Sequence, residues 1–267
     1  MPACGCAMFT AKALLGAIYN AIVNALTGKA VLITGGARRL GKAIALAMAE
    51  AGAQVALTYL NSAEQARQAL EEIEGRKTQG LIVPCDVRDE QSVSRAVRLV
   101  LDKFGKLDVL VNNAGVFAGA RLEEITLEKW DDVFATNVRG PFLVSKQCIP
   151  ALRNSGGRII NIGSLGGEKP WATHAHYCSS KAALHMLTRV MAKALAPQIA
   201  VNCVAPGTID AKDGQDDAAF MQRVAQRTPM GRNGTTQDLA DAVMYFATAS
   251  HFITGQILMV DGGLGLQ

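Results

Sequence analysis

The amino-acid sequence predicts an α/β fold, a doubly wound seven-stranded parallel sheet with helices on both faces. Short runs rich in β-branched residues alternate with longer segments that have helical periodicity. The short runs are apolar on both faces, which is typical of strands buried between two helix layers. Residues 28–267 contain no internal repeat, linker or change of composition, so we predict that they form a single domain.

The elements follow one another in strand–helix order, and right-handed crossovers between parallel strands then place helices on both faces of the sheet. The predicted strands are Ala30–Thr34, Gln54–Tyr59, Leu81–Pro84, Asp108–Val111, Arg158–Ile162, Ile199–Val204 and Gln256–Val260. The predicted helices are Leu40–Ala51, Ser62–Glu74, Glu90–Phe104, Leu127–Leu152, His174–Ala196 and Thr236–Ala249.

Composition argues against several functional classes. The chain has 267 residues and a formal net charge of +4, with no block of five or more like charges, so we expect no nucleic-acid partner. Cys4 and Cys6 form a C-x-C pair without a second pair at ligand spacing, so we expect no structural zinc. His174, His176 and His185 lack a carboxylate or cysteine partner at ligand spacing, so we expect them in loop or packing roles and predict no metal site. The other cysteines lie in apolar segments, as free thiols do in a reducing compartment, and we expect a cytoplasmic protein.

Residues 1–27 are predicted to form an amino-terminal extension. Apolar residues between Leu14 and Leu26 share one helical face, which predicts an amphipathic helix over 7–26. The stretch contains Thr10, Lys12 and two asparagines, so it is too polar to span a membrane, and it lacks the basic start of a secretory signal. We expect the helix to dock on its own or a neighbouring subunit, with attachment to a membrane surface as the alternative.

A glycine-rich turn, Thr34–Gly41, lies between the first strand and the first helix. Glycine lets the backbone turn sharply and approach a pyrophosphate, which the free N–H groups at a helix N-terminus bind. The turn therefore predicts cofactor-binding roles for Gly35, Arg38, Arg39 and Leu40.

The second strand ends without an acidic residue. A site selective for NAD would carry Asp or Glu there, to accept a hydrogen bond from the 2′-hydroxyl of the ribose. This chain has Tyr59, Asn61 and Ser62 instead, and Arg38 and Arg39 in the neighbouring turn can bind a 2′-phosphate. The predicted cofactor is NADP(H).

Two further strand ends contribute to the predicted cofactor site. Asp86 follows the third strand and suits the edge of an adenine ring, with Val87 against its face. Asn113, Ala114 and Gly115 follow the fourth strand, and small residues there would let a nicotinamide riboside lie close to the sheet. In open α/β sheets ligands bind beyond the carboxyl ends of the strands, where these residues lie.

Several short motifs occur in a fixed order along the chain. They are T-G-G-A-R-R-L-G at 34–41, D-V at 86–87, N-N-A-G at 112–115, Asn137, Ser164, Tyr177-Cys178-Ser179-Ser180-Lys181, P-G at 206–207 and Asp261-Gly262-Gly263. In their order and spacing, residues 28–263 resemble the short-chain dehydrogenase/reductase family. The resemblance implies a Rossmann fold, a catalytic tetrad of Asn137, Ser164, Tyr177 and Lys181, and a nicotinamide cofactor that also contacts Tyr177, Lys181, Pro206 and Gly207.

Two positions depart from the family's pattern. Arg39 replaces the usual middle glycine of the phosphate turn and, together with residues 195–202, is similar to the pteridine reductase branch. Ala211 stands where the family has threonine, so we expect Thr208 or the backbone to contact the nicotinamide carboxamide. The resemblance also implies a homotetramer or homodimer, built through the helices 127–152 and 174–196 and the terminal strand.

The spacing of Tyr177 and Lys181 predicts acid–base chemistry. They lie four residues apart in a predicted helix, so their side chains share one face. A nearby ammonium stabilises phenolate, and we expect it to lower the pKa of Tyr177 from its ordinary value of about 10. Tyr177 could then donate a proton to a carbonyl oxygen as hydride arrives, while Ser164 hydrogen-bonds that oxygen. The resemblance adds that Lys181 holds the nicotinamide ribose and that Asn137 anchors a water leading to Lys181.

The substrate cleft is predicted to be apolar. Phe117, Leu165 and Trp171 follow strand ends and are expected to line it, beneath a mobile lid formed by 208–228. We therefore predict an NADPH-dependent oxidoreductase that reduces a small-molecule ketone or 3-oxoacyl compound to a secondary alcohol. Two alternatives stay open, a pteridine reductase and a non-catalytic NADP-binding scaffold or sensor.

Overall fold

The structure is a computed structural model that describes residues 24–211 and 217–267. Residues 7–23 of the predicted amphipathic helix, which was expected over 7–26, lie outside these ranges. Residues 24–28 form turns rather than the end of a helix, and this part of the prediction is wrong. Leu26 is buried in the core and its N–H donates to the carbonyl of Ala51 at 2.9 Å, so chain packed against the domain begins before residue 28.

The strands and helices alternate as predicted. Apart from the helix predicted over 127–152, their boundaries lie within two residues of the predicted ones. In chain order the elements are β1 (Ala30–Ile33), α1 (Arg39–Glu50), β2 (Gln54–Tyr59), α2 (Ala63–Glu74), β3 (Gly80–Pro84), α3 (Glu90–Phe104), β4 (Val109–Asn112), α4 (Leu127–Phe134), α5 (Gly140–Ser155), β5 (Arg158–Ile162), α6 (Ala175–Leu195), β6 (Ala200–Pro206), β7 (Ile209–Asp210), α7 (Ala218–Arg227), β8 (Gly234–Thr235), α8 (Thr236–Thr248) and β9 (Ile257–Val260). Short 3-10 turns occur at Leu122–Glu124, Leu165–Gly167 and Leu264–Leu266.

Seven strands form one parallel sheet in the order β3-β2-β1-β4-β5-β6-β9, which confirms the predicted doubly wound fold. Because β1 pairs with both β2 and β4, the strand order reverses there, and the crevice outside this switch point is where such sheets bind ligands. β7 and β8 pair as a separate two-stranded sheet.

Two hydrophobic layers hold the helices on the sheet. Along β1, Val31 and Ile33 face the layer that contains residues of α1, α2 and α8, whereas Leu32 faces the layer formed with α3, α5 and α6. Successive side chains of a strand point to opposite faces, so a strand buried on both sides must be apolar at every position. All four residues of β1 are buried, as this requires.

The helix predicted over Leu127–Leu152 is not continuous. A π-helical turn, Ala135–Arg139, separates α4 from α5 and contains the buried Asn137. A π turn inserts an extra residue into the helical ladder and is frequent at functional sites. The apolar periodicity of this stretch continues through the interruption, which is why the sequence predicted one helix.

The segment predicted as a lid over 208–228 contains regular structure. It includes β7 and α7, while residues 212–216 lie outside the described ranges. Among the helices of the described residues, none is long and apolar enough to cross a membrane.

Candidate active site

A cleft of about 1370 Å³ opens at the carboxyl edge of the sheet. It is larger than the roughly 300–1,000 Å³ typical of small-molecule pockets, so it has room for a dinucleotide and a substrate together. Most of the predicted site residues line it, namely Gly35, Arg38, Arg39, Leu40, Tyr59, Asn61, Ser62, Asp86, Val87, Asn113, Ala114, Gly115, Phe117, Ser164, Leu165, Trp171, Tyr177, Pro206, Gly207 and Thr208. Asn137 and Lys181 are buried behind this lining.

The glycine-rich turn is a tight cradle. Gly35 and Arg39 have positive φ angles of 63° and 50°, the left-handed region that favours glycine. A Cβ added to Gly41, on the first turn of α1, would lie 2.4 Å from the carbonyl oxygen of Gly35 and 2.6 Å from Nδ2 of Asn113. Asn113 donates from Nδ2 to the carbonyls of Thr34 and Gly35, each at 2.9 Å, so it fixes the turn from the neighbouring strand end.

Positive side chains dominate the cleft. The arginine and lysine residues that line it are Arg38, Arg39, Arg88, Lys169 and Arg227. Among the described lining residues, only Asp86 is acidic. Both oxygens of Asp86 accept hydrogen bonds from Arg88, at 2.8–3.1 Å, and these bonds hold the pKa of Asp86 below its usual value. The cleft therefore favours an anionic ligand.

Ser164, at the end of β5, and Tyr177, on the first turns of α6, meet at the floor of the cleft. The Ser164 hydroxyl accepts from the N–H of Gly166 at 3.0 Å, and it lies near enough to the Tyr177 side chain to lower the pKa of that phenol. Lys181 lies one helical turn after Tyr177, with Nζ 5.8 Å from the centroid of the tyrosine ring. Its Nζ donates to the carbonyl of Ile162 at 2.8 Å.

The predicted lowering of the Tyr177 pKa is wrong for this structure. Burial raises the pKa of Tyr177 to about 12, and the nearby Ser164 side chain offsets only part of that rise. Burial also lowers the pKa of Lys181 to about 8, because the ammonium is removed from water. Helical spacing placed both residues on one face, but desolvation dominates their ionisation.

Asn137 supports the chain beside the cleft. Its Oδ1 accepts from the N–H of Val116 at 2.9 Å, and its Nδ2 donates to the carbonyl of Val116 and the hydroxyl of Ser180, each at 3.0 Å. A Cβ added to Gly115 would lie 3.2 Å from Oδ1 of Asn137. The contacts of this side chain thus anchor the segment that follows β4, and the role that the resemblance assigns to Asn137 through a water stays a prediction.

Aromatic rings form one wall of the cleft around Tyr177. Phe117 meets the tyrosine ring edge-on at 4.9 Å and stacks on His174 at 4.8 Å, while Trp171 lies parallel to Tyr177 at 6.0 Å. Phe117 is 66% exposed, so this wall presents apolar surface to a ligand. Phe220 and Arg227 of α7 line the cleft as well.

The sequence analysis gave one buried residue beside the site no more than a loop or packing role. His185 follows Lys181 by four residues on α6, and its ring touches the turn that carries Ser164. The same i, i+4 spacing that linked Tyr177 to Lys181 extends to His185 and would have indicated it.

Fold and site together define a dinucleotide-dependent oxidoreductase. A family model described as enoyl-(acyl carrier protein) reductase matches residues 35–265. The chain is 37% identical over 241 residues to the 3-oxoacyl-[acyl-carrier-protein] reductase FabG of Staphylococcus aureus, covering 88% of this chain and 98% of the relative. It is 36% identical over 246 residues to the 3-oxoacyl-[acyl-carrier-protein] reductase of Synechocystis, covering 91% of this chain and 99% of that protein.

Solved structures agree with these relatives. A short-chain dehydrogenase/reductase of Serratia marcescens has a TM-score of 0.86 and 38% identity, covering 90% of this chain and 99% of its own. A gluconate 5-dehydrogenase of Burkholderia cenocepacia, in complex with NADP and tartrate, has a TM-score of 0.85 and 33% identity. The match covers 92% of this chain and 99% of that chain. The chain belongs to the short-chain dehydrogenase/reductase family, whose members are oxidoreductases that use a nicotinamide cofactor.

Proposed function

We propose that the protein is an NADPH-dependent carbonyl reductase that converts a ketone of the 3-oxoacyl thioester type to a secondary alcohol. The observation that carries the proposal is the placement of the Ser164 and Tyr177 side chains together at the floor of the cleft, beside an exposed aromatic wall. Relatives named as 3-oxoacyl-[acyl-carrier-protein] reductases support the substrate class.

The residues of the cleft fit the cofactor. A Cβ on Gly41 would clash with the carbonyl oxygen of Gly35, so the turn requires glycine at this position, as the tight strand-to-helix turn of a pyrophosphate site does. Arg38, Asn61 and Ser62 would hold a 2′-phosphate, since no acidic residue lies at the end of β2 to repel it. When bound, the reduced nicotinamide supplies the hydride. Lys181, behind Tyr177, would hold hydroxyls of its ribose.

Tyr177 acts as the acid in this proposal. With a pKa of about 12, its hydroxyl keeps its proton at neutral pH and can give it to the oxygen of a carbonyl as that oxygen becomes an alkoxide. Ser164 hydrogen-bonds the same oxygen, where negative charge develops. Nζ of Lys181 places a positive charge beside the phenolate that proton transfer leaves.

The test is the oxidation of NADPH and of NADH, followed by absorbance, with a 3-oxoacyl thioester as substrate. We expect faster turnover with NADPH. Tyr177→Phe should lower kcat by about 10²–10⁴-fold, the usual contribution of general acid catalysis, while binding of NADPH stays as in the wild type. Full ketone reduction by the Tyr177→Phe protein would falsify the acid assignment.

Two other functions give different results in that assay. A non-catalytic scaffold or sensor would bind NADPH without turnover across a panel of carbonyl compounds, although the presence of both Tyr177 and Lys181 argues against it. The pteridine reductase alternative has no specific support from the relatives described above, and reduction of biopterin in preference to the thioester would revive it.

We further infer a homo-oligomer that works in the cytoplasm. The outer faces of α5 and α6 expose Phe142, Met186 and Val190, and apolar side chains of this size at a helix surface suit contact with another subunit. The free thiols of Cys85 and Cys148 are buried, as in proteins of a reducing compartment. Light scattering of the purified protein tests the assembly, and a monomeric mass would refute it.

A further inference from the structure

The turn that carries Ser164 rests on a buried imidazole. His185 is 2% exposed and lies under the segment 163–167. A Cβ added to Gly163 would lie 2.4 Å from its Nε2, and one added to Gly167 would lie 2.6 Å from its Cε1. The ring therefore fills the space between α6 and the backbone on both sides of Ser164.

One ring nitrogen of His185 faces a hydrogen-bond donor and the other faces an acceptor. The backbone N–H of Ser164 donates to Nε2 at 3.5 Å, a long hydrogen bond, and Nδ1 lies 3.1 Å from Oε1 of Glu168. A carboxylate can only accept, so Nδ1 must carry the proton, and Nε2 must then be the acceptor. Only the neutral Nδ1–H tautomer of His185 satisfies both contacts.

Charges around the ring act in both directions. Burial is the largest influence and lowers the pKa of His185, and the cations Lys181 and Arg189 on α6 lower it further. Glu168 raises it, but that side chain is 46% exposed and its effect is screened by water. On β6, Sγ of Cys203 also faces the space beside Gly163, and burial raises its pKa to about 12, so it is an uncharged neighbour at neutral pH.

We propose that His185, oriented by Glu168, is a positioning residue that fixes the main chain of Ser164 and hence the direction of the Ser164 hydroxyl. This inference rests on the proposed function, because it concerns how that hydroxyl meets a carbonyl oxygen. Protonation of the imidazole would put an N–H on Nε2 opposite the N–H of Ser164. Two donors would then face each other, and the turn would move.

Two amide substitutions separate the two nitrogens. In His185→Asn, the short side chain reaches the position of Nδ1 and can still donate to Glu168, but nothing accepts from Ser164. In His185→Gln, the longer side chain reaches the position of Nε2 and restores an acceptor. We expect His185→Asn to lower kcat about tenfold, equivalent to about 1.4 kcal/mol, with KM for NADPH nearly unchanged, and His185→Gln to recover most of that loss.

The pH dependence of kcat distinguishes positioning by His185 from a simple loss of packing, which would not change that dependence. Wild-type kcat should fall as pH drops through the lowered pKa of His185, whereas His185→Gln should keep its activity there. Leu184→Val is the matched control, because Leu184 is the preceding residue on the same helix and is equally buried. An acidic limb that is identical in wild type, His185→Gln and Leu184→Val would overturn the proposal.

A double mutant and a spectrum separate this inference from the proposed function. In a Ser164→Ala background, His185→Asn should cause no further loss of kcat, and an additive loss would contradict action through Ser164. The ¹⁵N shifts of His185 report the tautomer whether or not the substrate is right. An inactive wild type with an Nδ1–H tautomer would refute only the proposed function, whereas an Nε2–H tautomer in an active enzyme would refute only this inference.

Discussion

Filling the cradle beneath the proposed cofactor should weaken binding of NADPH. In Gly41→Ala, the new Cβ would lie 2.4 Å from the carbonyl oxygen of Gly35, about 1 Å closer than ordinary van der Waals contact. The backbone of the turn must move, and the two 2.9 Å hydrogen bonds from Asn113 hold it where it is. Overpacking of this kind costs about 1–3 kcal/mol. If that cost falls on the bound state, Kd for NADPH rises about 5- to 150-fold.

Quenching of the fluorescence of Trp171, which lines the cleft, measures that Kd. Gly75→Ala is the matched control, because Gly75 is exposed at the end of α2, has a φ of −58° and would place its Cβ 3.3 Å from the nearest atom. We expect Gly75→Ala to bind NADPH as the wild type does. An unchanged Kd in Gly41→Ala, with the same thermal midpoint as the wild type, would show that the turn can yield and that our reasoning about the cradle is wrong.

Three further changes test other parts of the structure. Asn61→Asp introduces a carboxylate at the end of β2, so the ratio of kcat/KM for NADPH over NADH should fall at least tenfold; Asn61→Ser, which adds no charge, should shift it less. The pKa of Lys181 is about 8 in the folded protein, below its ordinary value. Between pH 8 and 10.5 the unfolded chain therefore binds more protons than the folded protein, and the free energy of unfolding should rise with pH across that range. Lys181→Met should abolish this rise in denaturant titrations. Asp238→Ala removes the two hydrogen bonds that Asp238 accepts from Arg232, breaks the capping box with Thr235, and should cost about 1 kcal/mol at pH 7. The pKa of Asp238 is lowered, so this contribution should vanish as acid protonates the carboxylate, and equal destabilisation at pH 7 and in acid would contradict it.

The sheet could be predicted because its signals are local. Each strand is a short apolar run, and β1 is buried at every position, so the pattern required by two helix layers is visible in sequence. The placement of site residues at one edge also follows, since parallel strands end on the same side. Gly35, Asn113 and Ser164 come from three separate strand ends and line one cleft.

The π turn and the histidine needed tertiary information. Asn137 lies in a stretch whose apolar spacing fits an uninterrupted helix, and only its contacts with Val116 and Ser180 reveal why the helix admits an extra residue. His185 looks like an ordinary helical position until the turn 163–167 is folded onto it. Such pairings join residues far apart in the chain, and periodicity along one element does not report them.

Burial also reverses the order in which the two central groups lose their protons. In water a tyrosine titrates slightly before a lysine, at about 10 and about 10.4. Here the pKa of Lys181 is about 8 and that of Tyr177 about 12, so as pH rises the ammonium is neutralised first. A stable pair of phenolate and ammonium therefore does not form in the free protein. In the proposed reaction, the pair would form when a substrate oxygen takes the proton of Tyr177 near neutral pH, which is the direction of reduction.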